Sequence, residues 1–329
     1  MGMDIYAGTL IRYYSDNWKT AMQQWCEDNG MNYQRITPEE DNGETMSQEE
    51  IEETVVEWCD GMISALSNHF DTTLPTWKED NIRPYYTEKM DWAAYEALRL
   101  FIACKTYGEP LPPKFKADNQ FDDFDIAERV NNSNDLNLSL FMGASHWIPL
   151  DYPFVIGART PMGREIVLSS TGALLRELEY INTLGWNADE KTIFEWNETE
   201  GYISGDTKTE QLSDKFKAFS QTEGGTYDTE SLAKYAFSVF YKAVKFSKEN
   251  NVPILMDFLN TNKTQIPEQY DKEIFNQFMS AMFLMDVQHC PCINGHLHRN
   301  INPILCCKLE NYCAAMVRSQ WSGISADIL

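Results

Sequence analysis

Residues 154–185 read FVIGARTPMGREIVLSSTGALLRELEYINTLG, and this stretch decides the fold class. Phe154–Ala158 and Glu165–Leu168 are short runs rich in apolar and β-branched residues. Between them, Thr160-Pro-Met-Gly163 carries the proline and glycine of a tight turn. Ser169-Ser-Thr-Gly172 then leads directly into a helical pattern, with Leu174, Leu175, Leu178 and Ile181 on one face and Gly185 as its stop. A strand pair that feeds a helix without a break places both kinds of element in one core.

Working outward, helices outnumber strands. Met3–Tyr14 is β-branched and aromatic (Ile5, Tyr6, Thr9, Ile11, Tyr13, Tyr14) and reads as a strand. Asp16 reads as the cap of a helix through Met22 and Trp25 that ends near Gly30. Residues 37–47 read as a polar loop. Ser47 and Glu50 have the spacing of a capping box, followed by Ile51, Val55, Trp58, Met62 and Leu66 at helical period. A helix is expected over 87–107, ended by Gly108-Glu-Pro-Leu-Pro-Pro113. Residues 114–139 read as a long acidic loop with at most one short helix, and 186–228 show no regular period. Asp228 or Thr229 opens a long helix through Phe246, and Pro253–Phe258 reads as a buried strand. Two more helices, about 267–288 and 304–319, flank a loop rich in cysteine and histidine.

The expected class is therefore α+β, predominantly helical with a small mixed or antiparallel sheet, since strands and helices do not alternate as in βαβ folds. The chain, 1–329, is read as a single compact unit, or as two intimately packed halves: 1–113, acidic and mainly helical, and 140–329, α+β. Hydrophobic residues at 43% and aromatics at 13% supply a core that disordered chains lack.

Charge narrows the partners. Fifty acids against 27 bases give a formal −23, which argues against nucleic acid and anionic membrane. Basic proteins, metal ions and neutral small molecules stay open. The charge is uneven: Glu27 to Asp60 holds twelve acids against Arg35 alone, or −11 of the −23. No stretch has the basic and apolar layout of a secretory signal, and no run reaches the roughly 18 apolar residues of a membrane helix. The expectation is a cytoplasmic protein whose eight cysteines are thiols or metal ligands, not a disulfide framework.

Four groups of residues could carry chemistry. On the helix after Ser47, Glu49, Glu52, Glu53, Glu57 and Asp60 form an anionic face opposite the apolar one, suited to a basic protein partner. Inhibitors of basic toxins or nucleases have this charge profile, and an immunity-like binding protein is the leading functional reading. The same face would also serve as a solvated surface. The second group is His289–His298 with Cys306, Cys307 and Cys313, where Cys290, Cys292, His296 and His298 are candidate zinc ligands. Side chains two apart point the same way in extended chain, although C-x-C and H-x-H are not the usual zinc spacings. The alternatives are thus no cofactor, with the thiols in a helix core, or zinc in a metal-stabilised protein or metal-dependent enzyme. Third, Ser169–Gly172 with Arg159, Arg164 and Arg176 could seat an anion, although ordinary N-capping accounts for Ser170 and Thr171. Fourth, Ser145 adjoins His146, without the G-x-S-x-G elbow of a hydrolase.

Overall fold

The computed structural model describes residues 2–30, 46–133, 136–201 and 226–258. Within them the chain forms eight α-helices, a six-stranded mixed sheet and a separate two-stranded sheet, which is an α+β fold. The strands are β1 (Gly2–Ala7), β2 (Tyr86–Asp91), β3 (Lys114–Lys116), β4 (His146–Ile148), β5 (Val155–Arg159), β6 (Glu165–Ser170), β7 (Thr226–Asp228) and β8 (Ile254–Phe258). The helices are α1 (Leu10–Tyr14), α2 (Ala21–Asp28), α3 (Gln48–His69), α4 (Trp92–Tyr107), α5 (Asp125–Asn132), α6 (Thr171–Thr183), α7 (Glu190–Thr199) and α8 (Thr229–Asn250).

The large sheet runs β2-β1-β8-β4-β6-β5, and β3 pairs with β7. Only β4 and β6 are parallel; every other pairing is antiparallel. The β5–β6 hairpin sits at one edge, in the register Val155↔Ser169 to Arg159↔Glu165. The expected hairpin and its following helix are both present, with Ser170 capping α6 by accepting the Ala173 N–H at 3.0 Å.

Strand alternation divides the sheet's side chains between two faces. Met3, Ile5, Ala7, Met90, Trp147, Ile254 and Met256 share one buried cluster with the apolar faces of α4, α6 and α8. Helices α4 and α8 pack on each other and flank residues 110–150 in sequence, so segments from both sides of that stretch build the same core. Burying these side chains supplies the main driving force, at about 25 cal/mol per Å² of apolar surface. On the opposite face, the Tyr6 ring meets Tyr13, Trp18 and Tyr85 at centroid distances of 5.3, 4.9 and 6.0 Å. Helix α3 reaches the far edge, where the Trp58 indole donates to the Arg159 carbonyl of β5 at 2.6 Å. That bond satisfies an edge-strand acceptor that would otherwise be open to another chain.

Three local readings are corrected. Met3–Tyr14 is not one strand: β1 ends at Ala7 and residues 10–14 are α1, because Tyr13 turns back to stack against Trp18 and Tyr6. Asp16 is not a helix cap; it lies at φ 56°, and α2 starts after Thr20, whose capping box uses Gln23. The helix expected from residue 87 starts at Trp92, because residues 86–91 are β2 with Asp91 as the cap. The β2 pattern was obscured by Glu88, an acid that is 3% exposed beside Met90 on the core face.

The Ser47–Glu50 capping box is present in both directions: Ser47 Oγ accepts the Glu50 N–H at 3.3 Å and Glu50 Oε2 accepts the Ser47 N–H at 2.7 Å. Removing the cap acceptor with Ser47→Ala is expected to cost about 1 kcal/mol. Urea unfolding at constant m-value would measure it.

Candidate docking groove

Helix α3 presents its acids because its apolar residues are spent inward. Val55, Trp58, Cys59, Met62, Ile63 and Leu66 are buried, and the 3.6-residue period leaves Glu49, Glu52, Glu53, Glu57 and Asp60 exposed. Beside this face runs the segment from Trp77 to Arg83. Between them lies an open groove of about 530 Å³ lined by Glu52, Glu53, Val56, Glu57, Glu79, Asp80, Asn81 and Ile11.

The structure thus gathers Glu52, Glu53 and Glu57 at one place and adds Glu79 and Asp80, two acids that sequence reading missed. Glu49 and Asp60 are exposed on the same helix but do not line the groove. Five carboxyl groups therefore converge from two elements distant in sequence. The aliphatic surface among them comes from Val56, which is 44% exposed, and from the rim of buried Ile11.

The 77–83 segment is tied to the β1–α1 turn by a chain of specific bonds. Glu79 Oε2 accepts the Ile11 N–H at 3.0 Å, and Oε1 accepts the Trp77 indole N–H at 2.7 Å. Thr9 Oγ1 donates to the Asp80 carbonyl at 2.5 Å, and Arg12 donates to the Asn81 carbonyl at 2.7 Å. Asp80 Oδ1 accepts the N–H groups of Ile82 and Arg83, closing an Asx-type turn, while its other oxygen pairs with the Arg83 guanidinium at 3.2 Å.

These surroundings act on the two acids in opposite directions. Burial pushes the Glu79 carboxyl up to about 7, although hydrogen bonds from Ile11, Trp77 and Leu10 and the charge of Arg83 oppose it. Burial also pushes Asp80 up, but the Arg83 and Ile82 N–H bonds together with the charges of Arg83 and Lys78 outweigh it, leaving Asp80 below its ordinary value. Because Glu79 titrates higher folded than unfolded, its protonated form stabilises the fold. That contribution is complete below the unfolded value near 4.5 and is lost as pH rises through about 7. Beneath the groove, burial first, then Glu79 and Asp60, raise the Cys59 thiol, so it is not a reactive thiolate.

The other sequence candidates resolve differently. Ser169 Oγ donates to the Phe154 carbonyl at 2.7 Å, and Ser170 is the helix cap described above. The Gly172 N–H is taken by the Leu150 carbonyl at 2.9 Å, and Arg176 donates to the Asp151 carbonyl at 2.7 Å. Ser170 is thus the helix cap that the N-capping reading expects, while Ser169 and Arg176 bond backbone carbonyls of the neighbouring segment. Ser145 Oγ does meet His146 Nδ1, at 3.0 Å, but His146 sits in the sheet between Leu255 and Leu168. Burial, with the positive charge of Arg164, lowers its imidazole to about 3. It is a neutral, partly buried histidine beside a buried hydroxyl. Cys290, Cys292, His296 and His298 lie outside the described residues. Among the described residues, no group of three or more His, Cys, Asp or Glu is placed to hold a metal ion. No described helix is long and apolar enough to cross a membrane.

Comparison of the chain with protein-family models, with curated proteins and with solved structures yields no match, so the reading of this groove rests on its own geometry.

Proposed function

We propose that this chain is a binding or inhibitor protein that docks a basic protein partner, immunity-like in its chemistry, with the groove between α3 and residues 77–83 as the contact. The observation that supports it is the convergence of five carboxyl groups around aliphatic surface. Lysine and arginine side chains have the complementary form, with a methylene stem that covers Val56 and a cationic head for Glu52, Glu53, Glu57 and Asp80. Complementary charge of this kind steers encounter and fixes register more than it adds raw affinity.

The test is the triple variant Glu52→Lys/Glu53→Lys/Glu57→Lys, assayed with an octa-arginine peptide at low ionic strength. Lysine and glutamate have similar helix propensity, and these positions are exposed, so stability should move by less than about 1 kcal/mol. The wild-type chain is expected to bind the peptide in a salt-sensitive way, and the variant to lose that binding by at least about tenfold. Equal binding by both proteins would overturn the reading.

A further inference from the structure

Glu79 lines the groove with both of its oxygens engaged, by the Ile11 N–H and the Trp77 indole N–H, whereas the carboxylate bonds of Asp80 stay within its own turn. Glu79 thereby both faces the docking surface and holds the 77–83 segment to α1. We infer that Glu79 is a proton-linked latch: a cation that docks in the groove expels the proton Glu79 carries, and that proton in turn weakens docking. This rests on the docking reading above and specifies how it is regulated.

The groups that face Glu79 make the latch asymmetric. Across the groove stand Glu52, Glu53 and Glu57 of α3, exposed to solvent. On the same helix, the buried Cys59 thiol shares its local field with Glu79 and with exposed Asp60. From the β1–α1 side come Arg12 and the Tyr6 and Tyr85 phenols, which share the local field with Glu79. On its own segment Lys78, Asp80 and Arg83 are adjacent, and the Arg83 charge pulls towards ionisation. No histidine lines the groove, so an ordinary imidazole does not supply the response near neutrality. A guanidinium or ammonium arriving beside Val56 adds positive charge on the side where the acids of α3 are, and shifts the balance to the carboxylate. Burial holds Glu79 near 7. Docking that requires ionisation must then weaken about tenfold between pH ~8 and pH ~6.

Three measurements on the full-length chain test the latch. In the free protein, the Trp77 indole and Ile11 amide resonances should move together with a midpoint near pH ~7 and stay still in Glu79→Gln. With octa-arginine as probe, wild-type affinity should fall about tenfold from pH ~8 to pH ~6, while Glu79→Gln binds equally at both. Should that variant fold poorly, calorimetry of the wild type at pH ~7 in buffers of different ionisation enthalpy should register about half a proton released per peptide bound. Salt-sensitive binding without proton release, or with no pH dependence, overturns the latch and leaves the docking reading standing. Binding that ignores charge reversal on α3 overturns the docking reading, and the latch with it.

Discussion

Trp147→Ala is expected to lower the unfolding free energy by about 4 kcal/mol. Trp147 is fully buried in the middle of the sheet, paired in register with Ile254 on one side and Ser169 on the other. Its ring meets Phe240 of α8 edge-on at 6.0 Å, so truncation opens a cavity where the sheet contacts its main helix. The indole is also a hydrogen-bond donor. It donates to Ser139 Oγ at 3.0 Å, and that hydroxyl donates to Glu177 of α6 at 2.7 Å. Glu177 accepts the Ser139 N–H as well, at 2.8 Å, and burial raises its carboxyl to about 7 against these bonds. Trp147→Phe keeps a six-membered ring but removes both the donor and the rest of the indole, and should cost about 2 kcal/mol, between wild type and the alanine variant. Guanidinium unfolding of the three proteins measures the series. A loss under about 1 kcal/mol for the alanine variant would mean that this site is not packed as described.

Gly172→Ala should destabilise the protein by about 3 kcal/mol, although alanine is the better helix former by about 1 kcal/mol. Gly172 is the second residue of α6, where the helix start presses on the segment before β5. A Cβ there would lie 2.6 Å from Asp151 Cα and 2.9 Å from the carbonyl oxygens of Asp151 and Leu150. All three obstacles are backbone, and the segment cannot easily yield. The Asp151 carbonyl is held by Arg176 and its carboxylate by Lys248 at 2.9 Å, while the Leu150 carbonyl accepts the Gly172 N–H. A melting temperature equal to or above wild type would show that propensity, not the close approach, governs this position.

Residues with strong local signals were read correctly from the chain alone. The β5–β6 hairpin has its Pro-Gly turn, α3 its capping box and α8 its Asp228 cap, each a short-range interaction complete within a few residues. The same reading failed where a distant partner settles the conformation. Residues 10–14 have strand-like composition, but Glu79, nearly 70 positions away, caps their N–H groups and Trp18 stacks on Tyr13, so they form a helix. Strand β2 hides its alternation because Glu88 occupies a buried position. Strands β3 and β7 and helix α7 lie in stretches that show no period of their own.

The candidate site divides along the same line. Helical spacing by itself placed Glu49, Glu52, Glu53, Glu57 and Asp60 on one exposed face, because a helix's faces follow from its period. The groove did not follow from that spacing. Glu79 and Asp80 carry no local pattern, and they reach α3 only because Thr9, Ile11 and Arg12 bind the 77–83 segment across the turn after β1. Amphipathic periods and caps are local, so the sequence determined the α+β class and the acidic face. Convergence of charges from separate segments is a property of packing, and only the tertiary structure decided which three of those five acids share a groove with Glu79.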